Sequence, residues 1–172
     1  MDSFLGLDLT RNYSFFTVPA AFFIVALPHS YTIIASRGTY DNANPRSHKN
    51  AIEKCENFDK SVRTPHVLLC SLANTLQDKQ FFLRAKAATE NGFETIGLYA
   101  ASIVAANFAG VPTPTINALS FGYVASRIAY NVAYLWLQAD RRLAPVRSLV
   151  WTASIGLIVS LWVKAGNKML SA

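Results

Sequence analysis

The stretch from Phe15 to Ala35, FFTVPAAFFIVALPHSYTIIA, decides the fold of this 172-residue chain. It contains no formally charged side chain over about 20 positions, which is the length that an α-helix needs to cross a hydrocarbon core of about 30 Å. A helix on the surface of a soluble bundle would keep a polar face, and this stretch has none. We therefore predict a membrane-spanning helix here rather than a helix of a soluble four-helix domain.

Three further apolar stretches predict the rest of a bundle. They lie at about 84–111, 116–138 and 146–163, and each is close to spanning length. The composition agrees, with 52% hydrophobic and 15% charged residues. The predicted fold is all-α, an integral membrane four-helix bundle made by one domain of residues 1–172.

Basic residues predict the orientation of this bundle. The formal net charge is +6, and bases concentrate in a loop at 36–65 and just after the third span. Loops rich in Lys and Arg face the cytosol, so both termini are predicted to be lumenal. No basic stripe interleaved with aromatic residues appears outside these loops, and the charge therefore indicates membrane orientation rather than nucleic-acid binding.

The 36–65 loop and the residues after it offer little chemistry. Turn-forming residues dominate Tyr40 to Arg46, and Thr64 with Pro65 predicts the start of an interfacial helix. Cys55 and Cys70 lack metal-ligand spacing and are read as cytosolic thiols. No metal site is predicted.

Prolines inside the first span predict contacts with neighbouring helices. Pro19 and Pro28 each remove a backbone donor, and the carbonyl that loses its partner must be satisfied by another helix or by water. The prolines also predict a kink in this helix. His29 directly follows Pro28, and a polar contact near the kink is a simpler role for its side chain than carrying a proton.

Ionisable residues at membrane depth point to a site. A charged group in a spanning helix costs roughly 2.5–3.5 kcal/mol on insertion scales and is usually retained for function. At about 100° per residue, Arg84, Asn91 and Glu94 share one face of the second span. This carboxylate and amide could receive an ammonium or amide group of a ligand, with Arg84 available for a carboxylate.

The third span has a polar stripe of its own. Its members recur at intervals of three or four residues: Arg127, Tyr130, Asn131, Tyr134 and Gln138. Such a stripe should face protein or a wet cavity rather than lipid. One alternative is a buried ion pair of Arg127 with Glu94 that locks the two spans together. A basic rim of Arg141, Arg142 and Arg147 follows, which serves orientation and lipid contact or places one arginine to stabilise an anion.

Together these residues resemble the MAPEG superfamily, the membrane-associated proteins in eicosanoid and glutathione metabolism. The Asn44-Pro45-Arg46 turn, the block from Arg84 to Glu94, and the series of Arg127, Tyr130 and Tyr134 follow its signature in order and spacing. The resemblance implies a homotrimer that binds glutathione between adjacent subunits near the cytosolic side. The implied glutathione-binding residues are Arg37, Arg84, Asn91, Glu94, Arg127, Tyr130 and Tyr134, with Arg37 reaching over from a neighbouring subunit.

The resemblance also implies a catalytic arginine that stabilises the glutathione thiolate. Two patterns compete, one placing it at Arg142 and the other at Arg147 with Ser148 beside a substrate oxygen; we favour Arg147. The implied activity is a glutathione-dependent transferase or isomerase of a lipophilic electrophile that arrives from the lipid of the membrane, with the endoplasmic reticulum as the expected location.

Three positions depart from the family pattern. Ala87 stands where eicosanoid enzymes have a glutathione-contacting arginine, and Thr95 and Trp151 replace tyrosines. Two alternatives follow: a glutathione-independent isomerase or cyclase of a hydrophobic metabolite, and a non-catalytic lipid-binding protein.

Overall fold

The computed structural model describes residues 3–4, 7–8, 10–35, 42–44, 47, 50, 76–139 and 141–171. Four α-helices dominate these residues: α1 Ser14–Ala35, α2 Leu76–Phe108, α3 Thr113–Leu135 and α4 Ala144–Leu170. Two short 3-10 helices, Leu137–Ala139 and Arg141–Leu143, connect α3 to α4. Two-residue strands β1 Ser3–Phe4 and β2 Leu7–Asp8 pair antiparallel before α1. The predicted all-α four-helix bundle is confirmed.

The centre of the bundle is formed by α2 and α3, which each pack against all three other helices. Tyr99 of α2 and Tyr123 of α3 stack with ring centroids 3.8 Å apart. The Tyr99 hydroxyl bonds Thr17 of α1 at 2.5 Å, and the Tyr123 hydroxyl bonds Thr95 at 3.2 Å. Thr95, one of the three departures, therefore serves the core and holds a tyrosine of the neighbouring helix.

The corner between α2 and α3 is set by Gly110, which has a φ of 71°. The N–H of Gly110 donates to the Asn107 carbonyl, and the N–H of Val111 donates to the Ala106 carbonyl. This pair of bonds is the Schellman arrangement that ends a helix and favours glycine. It explains why α2 ends at Phe108, before the predicted limit of 111.

The proline at position 28 joins α1 to α3. Pro28 lacks the N–H that would bond the Ile24 carbonyl one turn earlier, and Asn131 of α3 donates its Nδ2 to that carbonyl at 2.8 Å. The next amide, of His29, donates to the Thr89 hydroxyl of α2 at 3.2 Å. Neighbouring helices therefore satisfy this part of α1, as its prolines predicted.

The outer surface of the bundle is apolar. Phe16, Phe23, Ile34, Phe108 and Leu149 each expose more than 65% of their surface, as side chains do on a surface that contacts lipid or another protein. Within the described residues, Ser14–Ala35 and Pro145–Leu170 are long and apolar enough to cross a membrane, each with a mean hydropathy of 1.6. The assignment of α2 and α3 as further spans stays a prediction.

Polar contacts at the N-terminus hold the segment before α1. Thr10 donates its hydroxyl and its backbone N–H to the Asp8 carboxylate, at 2.5 and 3.0 Å, and these two bonds hold the pKa of Asp8 below its ordinary value. The Asn12 side chain accepts the Ser14 N–H at 3.0 Å and so caps the start of α1. These bonds fix the conformation of the segment that leads into α1.

Candidate functional site

A buried arginine lies where α3 meets α4. Arg127 is 1% exposed, and its Nη2 donates to the Ser154 hydroxyl of α4 at 2.5 Å. The guanidinium carbon lies 4.7 Å from the ring centre of Tyr130 and 5.5 Å from that of Tyr123. Aromatic faces attract a cation at such distances, so the buried guanidinium of Arg127 holds the Tyr130 ring in place from the core side of the ring.

The ion pair between Arg127 and Glu94, the alternative reading of the polar stripe, is not formed. The Nε and Nη1 of Arg127 are buried without a hydrogen-bond partner, and Glu94 is exposed on α2. Burying a carboxylate beside Arg127 would cost desolvation that their attraction need not repay. The rings of Tyr123 and Tyr130 and the hydroxyl of Ser154 stabilise the guanidinium instead.

Two tyrosines and a second arginine continue this cluster toward the surface. Tyr130 and Tyr134 meet edge to face with centroids 5.5 Å apart, and the Arg147 guanidinium carbon lies 5.1 Å from the Tyr134 ring centre. Arg147 is half-buried in the first turn of α4. We call the group of Glu94, Tyr130, Tyr134 and Arg147, with Asn91, the tyrosine site.

The α2 side of the tyrosine site is small and polar. Ala87 and Ala88 pack against Tyr130 and Tyr134. One turn further along α2, Asn91 is half-buried and donates its Nδ2 to the Ala87 carbonyl at 2.9 Å. Glu94 lies close enough to Tyr130 for a coulombic interaction. The absence of a side chain beyond Cβ at Ala87 leaves this wall of the site without a second guanidinium.

Several polar groups of the tyrosine site keep their hydrogen-bonding capacity. In the described part of the chain, the hydroxyls of Tyr130 and Tyr134 have no hydrogen bond to protein, and neither Glu94 nor Arg147 forms an ion pair. None of these groups is among the fully buried polar atoms without a partner, so each is accessible from outside the protein. The site therefore offers a carboxylate, two hydroxyls and a guanidinium to a ligand.

The two other candidates near α4 are more exposed. Ser148 follows Arg147 and is exposed, and so is Arg142 in the 3-10 segment before α4. Of the two candidate arginines, Arg147 is thus the one that lies against a tyrosine of the site. Trp151, one turn after Arg147, is 39% exposed. Arg37, Thr64, Cys55 and Cys70 lie outside the described residues.

The predicted stripe on α3 divides between two sides of the helix. Tyr130 and Tyr134 belong to the tyrosine site and Arg127 lies behind them, whereas Asn131 turns to α1 and bonds the Ile24 carbonyl. Gln138 follows the end of α3 and lies in a 3-10 segment, where its Oε1 is buried without a partner. None of the five side chains is exposed, in agreement with the prediction that they face protein or a cavity. They do not form one continuous stripe, because α3 ends at Leu135 and because Asn131 serves the Ile24 carbonyl.

Arg84 lies at a different place from the tyrosine site. It lines a cleft of about 930 Å³ between α1, α2 and α3, which we call the lateral cleft. The lining residues are Ile24, Leu27, Pro28, Tyr31, Phe81, Arg84, Ala85, Ile128, Asn131, Val132, Leu135 and Trp136. None of them belongs to the tyrosine site.

Sequence reasoning missed Ser154, the partner of Arg127. The signal was its spacing, because Ser154 follows Arg147 by seven residues and so lies two turns later on the same face of α4. Tyr123 was also missed. It lies four residues before Arg127 and so extends the α3 series by one turn toward the core. Within the described residues, no group of three His, Cys, Asp or Glu side chains could hold a metal ion.

Comparisons with known proteins place these observations in a family. No match was found among curated proteins or among solved structures. A family model described as the MAPEG family matches residues 15–167, a range that includes α2, α3, all of α1 except Ser14, and every residue of the tyrosine site. The protein therefore belongs to the MAPEG family, whose members are membrane proteins of glutathione and eicosanoid metabolism.

Proposed function

We propose that this protein is a glutathione-dependent membrane transferase or isomerase that acts on a lipophilic electrophile at the tyrosine site. The observation that carries the proposal is the set of unpaired polar groups there: the Glu94 carboxylate, the hydroxyls of Tyr130 and Tyr134, and the Arg147 guanidinium. Glutathione presents an ammonium, two peptide units, two carboxylates and a thiol. The groups of the site are complementary to that mixture.

Each side chain of the site has a definite role in this proposal. Glu94 and Asn91 bind the ammonium end of the tripeptide, and the hydroxyls of Tyr130 and Tyr134 hold its backbone. Arg127 does not reach the ligand in this arrangement but fixes the Tyr130 ring from behind, since it is 1% exposed. The site itself thereby presents one carboxylate and one guanidinium to the ligand, and the second guanidinium, of Arg127, lies buried behind the Tyr130 ring.

Arg147 is the residue that we assign to the sulfur. Glutathione supplies a sulfur nucleophile, whose thiol is mostly protonated at neutral pH because an ordinary thiol has a pKa of about 8.5. A guanidinium close to the sulfur favours the anion and so increases the reactive fraction. Arg147 can serve because the Tyr134 ring holds its guanidinium at the site. Ser148, one residue later, would donate its hydroxyl to an oxygen of the substrate.

The proposal extends to assembly and location. The chain forms a homotrimer in which Arg37 of a neighbouring subunit completes each glutathione site. All four helices span the membrane, the basic loops face the cytosol, and both termini are lumenal. The substrate enters from the lipid, and the endoplasmic reticulum is the proposed compartment. The apolar outer faces of the helices support the membrane part of this proposal.

One observation favours a second candidate function. Ala87 packs against the cluster of Ala88, Tyr130 and Tyr134, so this wall offers a hydrophobic surface where related enzymes offer an arginine. A protein with such a wall could isomerise or cyclise a hydrophobic metabolite by acid–base catalysis at the tyrosines, without glutathione. A non-catalytic lipid-binding protein is the third alternative from the sequence, and turnover of any electrophile would rule it out.

Calorimetric titration of glutathione into the detergent-purified protein tests the proposal. We expect saturable binding that Glu94→Gln weakens about tenfold, the effect of removing a charge-assisted hydrogen bond of roughly 1.5 kcal/mol. Lys164→Gln is the matched control, because it removes one exposed charge from the far half of α4. Absence of binding to a folded protein would favour the glutathione-independent alternatives.

A further inference from the structure

The lateral cleft has the dimensions of a ligand site. Its volume of about 930 Å³ lies within the range of roughly 300–1,000 Å³ typical of small-molecule sites. Along α1 it extends from Tyr31 to Ile24, seven residues or about 10 Å at 1.5 Å per residue. That length accommodates an extended apolar chain of moderate size.

The walls of the lateral cleft are apolar and its outer end is aromatic. Leu27, Ile128 and Val132 form the sides. Phe81 contacts Tyr31 edge to face at 5.6 Å and Trp136 at 6.1 Å. Tyrosine and tryptophan prefer the depth of the lipid headgroups, so this end of the cleft lies at the membrane surface and the Ile24 end lies deeper.

Arg84 gives the lateral cleft a charge. It is the single charged residue among the described lining residues, and its Nε is buried without a hydrogen-bond partner. A buried guanidinium N–H that lacks an acceptor costs free energy. A carboxylate supplies two acceptors in the planar geometry that a guanidinium matches. Arg84 stands beside Phe81, at the aromatic end, where the head of an amphiphile would lie.

We propose that the lateral cleft binds a single-chain lipid carboxylate, a fatty acid anion, with its carboxylate on Arg84 and its chain between α1 and α3. This site is separate from the proposed glutathione site, because the two share no residue. Its acid selectivity comes from Arg84, and the lipid chain lies along the apolar side chains of Leu27 and Ile128.

Trp136 allows a direct test. The purified full-length protein, without glutathione, is titrated with bromine-labelled dodecanoate and with the corresponding bromine-labelled dodecanol, and tryptophan fluorescence is recorded. Bromine quenches Trp136 when the cleft is occupied, whereas Trp151 and Trp162 do not line the cleft. Trp136→Phe supplies their background. We expect saturable quenching by the acid at a concentration at least tenfold lower than by the alcohol.

Variants decide whether Arg84 and the cleft are responsible. Arg84→Gln should remove the tenfold preference for the acid and leave quenching by the alcohol unchanged, and Lys164→Gln should change neither. Ile128→Phe, which narrows the cleft without touching Arg84, should weaken both ligands and remains informative if Arg84→Gln fails to fold. Equal quenching by acid and alcohol, an acid preference that survives in Arg84→Gln, or no quenching of Trp136 because a neighbouring subunit covers the cleft would each overturn the proposal.

Discussion

The two ends of the bundle both contain polar residues but use them differently. At the end where α1 and α3 begin, Asn117 accepts the Tyr13 N–H at 2.9 Å and donates to the Arg11 carbonyl at 2.8 Å. Asn107 donates to the Ser14 hydroxyl at 3.0 Å and pairs with Asn12. We call these residues the asparagine end.

At the opposite end, four buried polar atoms lack hydrogen-bond partners among the described residues. The buried atoms without a hydrogen bond in the described residues are Arg84 Nε, Arg127 Nε and Nη1, and Gln138 Oε1, and none belongs to the asparagine end. Satisfied polar groups stabilise a fold, whereas unsatisfied ones cost free energy and are retained where something else binds. The difference supports a structural role for the asparagine end and agrees with the proposal that the functional site lies at the other end.

The largest effect is expected from the arginine of the tyrosine site. Arg147→Gln should lower turnover of an electrophile with glutathione by about 100-fold, the cost of losing one group that stabilises a reacting anion. Steady-state kinetics measure it. Lys164→Gln is the charge-matched control on α4, and a comparable loss in Arg142→Gln with none in Arg147→Gln would transfer the role to Arg142.

A large effect on stability, but not on binding, is expected at the asparagine end. Asn117→Ala leaves the Tyr13 N–H and the Arg11 carbonyl without partners, and should lower the free energy of unfolding by about 2–3 kcal/mol. Thermal unfolding in detergent measures the loss. Ser160→Ala is the control, because Ser160 is half-buried and bonds only the Gly156 carbonyl of its own helix. A weaker affinity of folded Asn117→Ala for glutathione would contradict the division between the two ends.

The bond between α1 and α3 should depend on Pro28. Asn131→Leu should cost about 1 kcal/mol of stability because the Ile24 carbonyl loses its donor. In a Pro28→Ala background, residue 28 regains an N–H for that carbonyl, and the same substitution should cost less than half as much. A double-mutant cycle measures this coupling. Equal costs in both backgrounds would mean that the proline does not create the need for Asn131.

The smallest effect is expected for the buried arginine. Arg127→Met removes the bond to Ser154 and the contacts with two aromatic rings, but it also removes a buried charge with unpaired nitrogens. These contributions oppose each other, so stability should change by no more than about 1 kcal/mol. A loss well above that, measured by thermal unfolding, would mean that the guanidinium has partners beyond Ser154 and the rings.

The fold and half of the site could be predicted from local patterns. Uninterrupted hydrophobicity predicted α1, and the spacing of Arg127, Tyr130 and Tyr134 placed them on one face of α3. The ends of helices were harder, since α2 begins at Leu76, before the apolar stretch, and α3 ends at Leu135, which detaches Gln138. Periodicity predicts on which face of a helix a side chain lies, but not which neighbouring helix packs against that face.

Contacts between helices could not be predicted for the same reason. Nothing local indicates that Arg127 bonds Ser154 rather than Glu94, or that Arg84 lies in a cleft with α1 rather than beside Tyr134. Asn131 is the exception. Pro28 predicted that the carbonyl one turn earlier needs a donor from another helix or from water, but the sequence did not indicate that Asn131 is that donor. The glutathione assignment of Arg37 stays a prediction, whereas Arg84 lies in the lateral cleft, away from the residues of the tyrosine site.

The most direct test of the central claim is the pKa of the glutathione thiol bound to the protein, followed by thiolate absorbance as pH is raised. We predict a value below the ordinary 8.5 or so for the unaltered protein, and a return toward that value in Arg147→Gln with binding retained. A thiol that titrates as it does in solution, or one whose lowered pKa is unaffected by Arg147→Gln, would contradict the assignment of Arg147 to the sulfur.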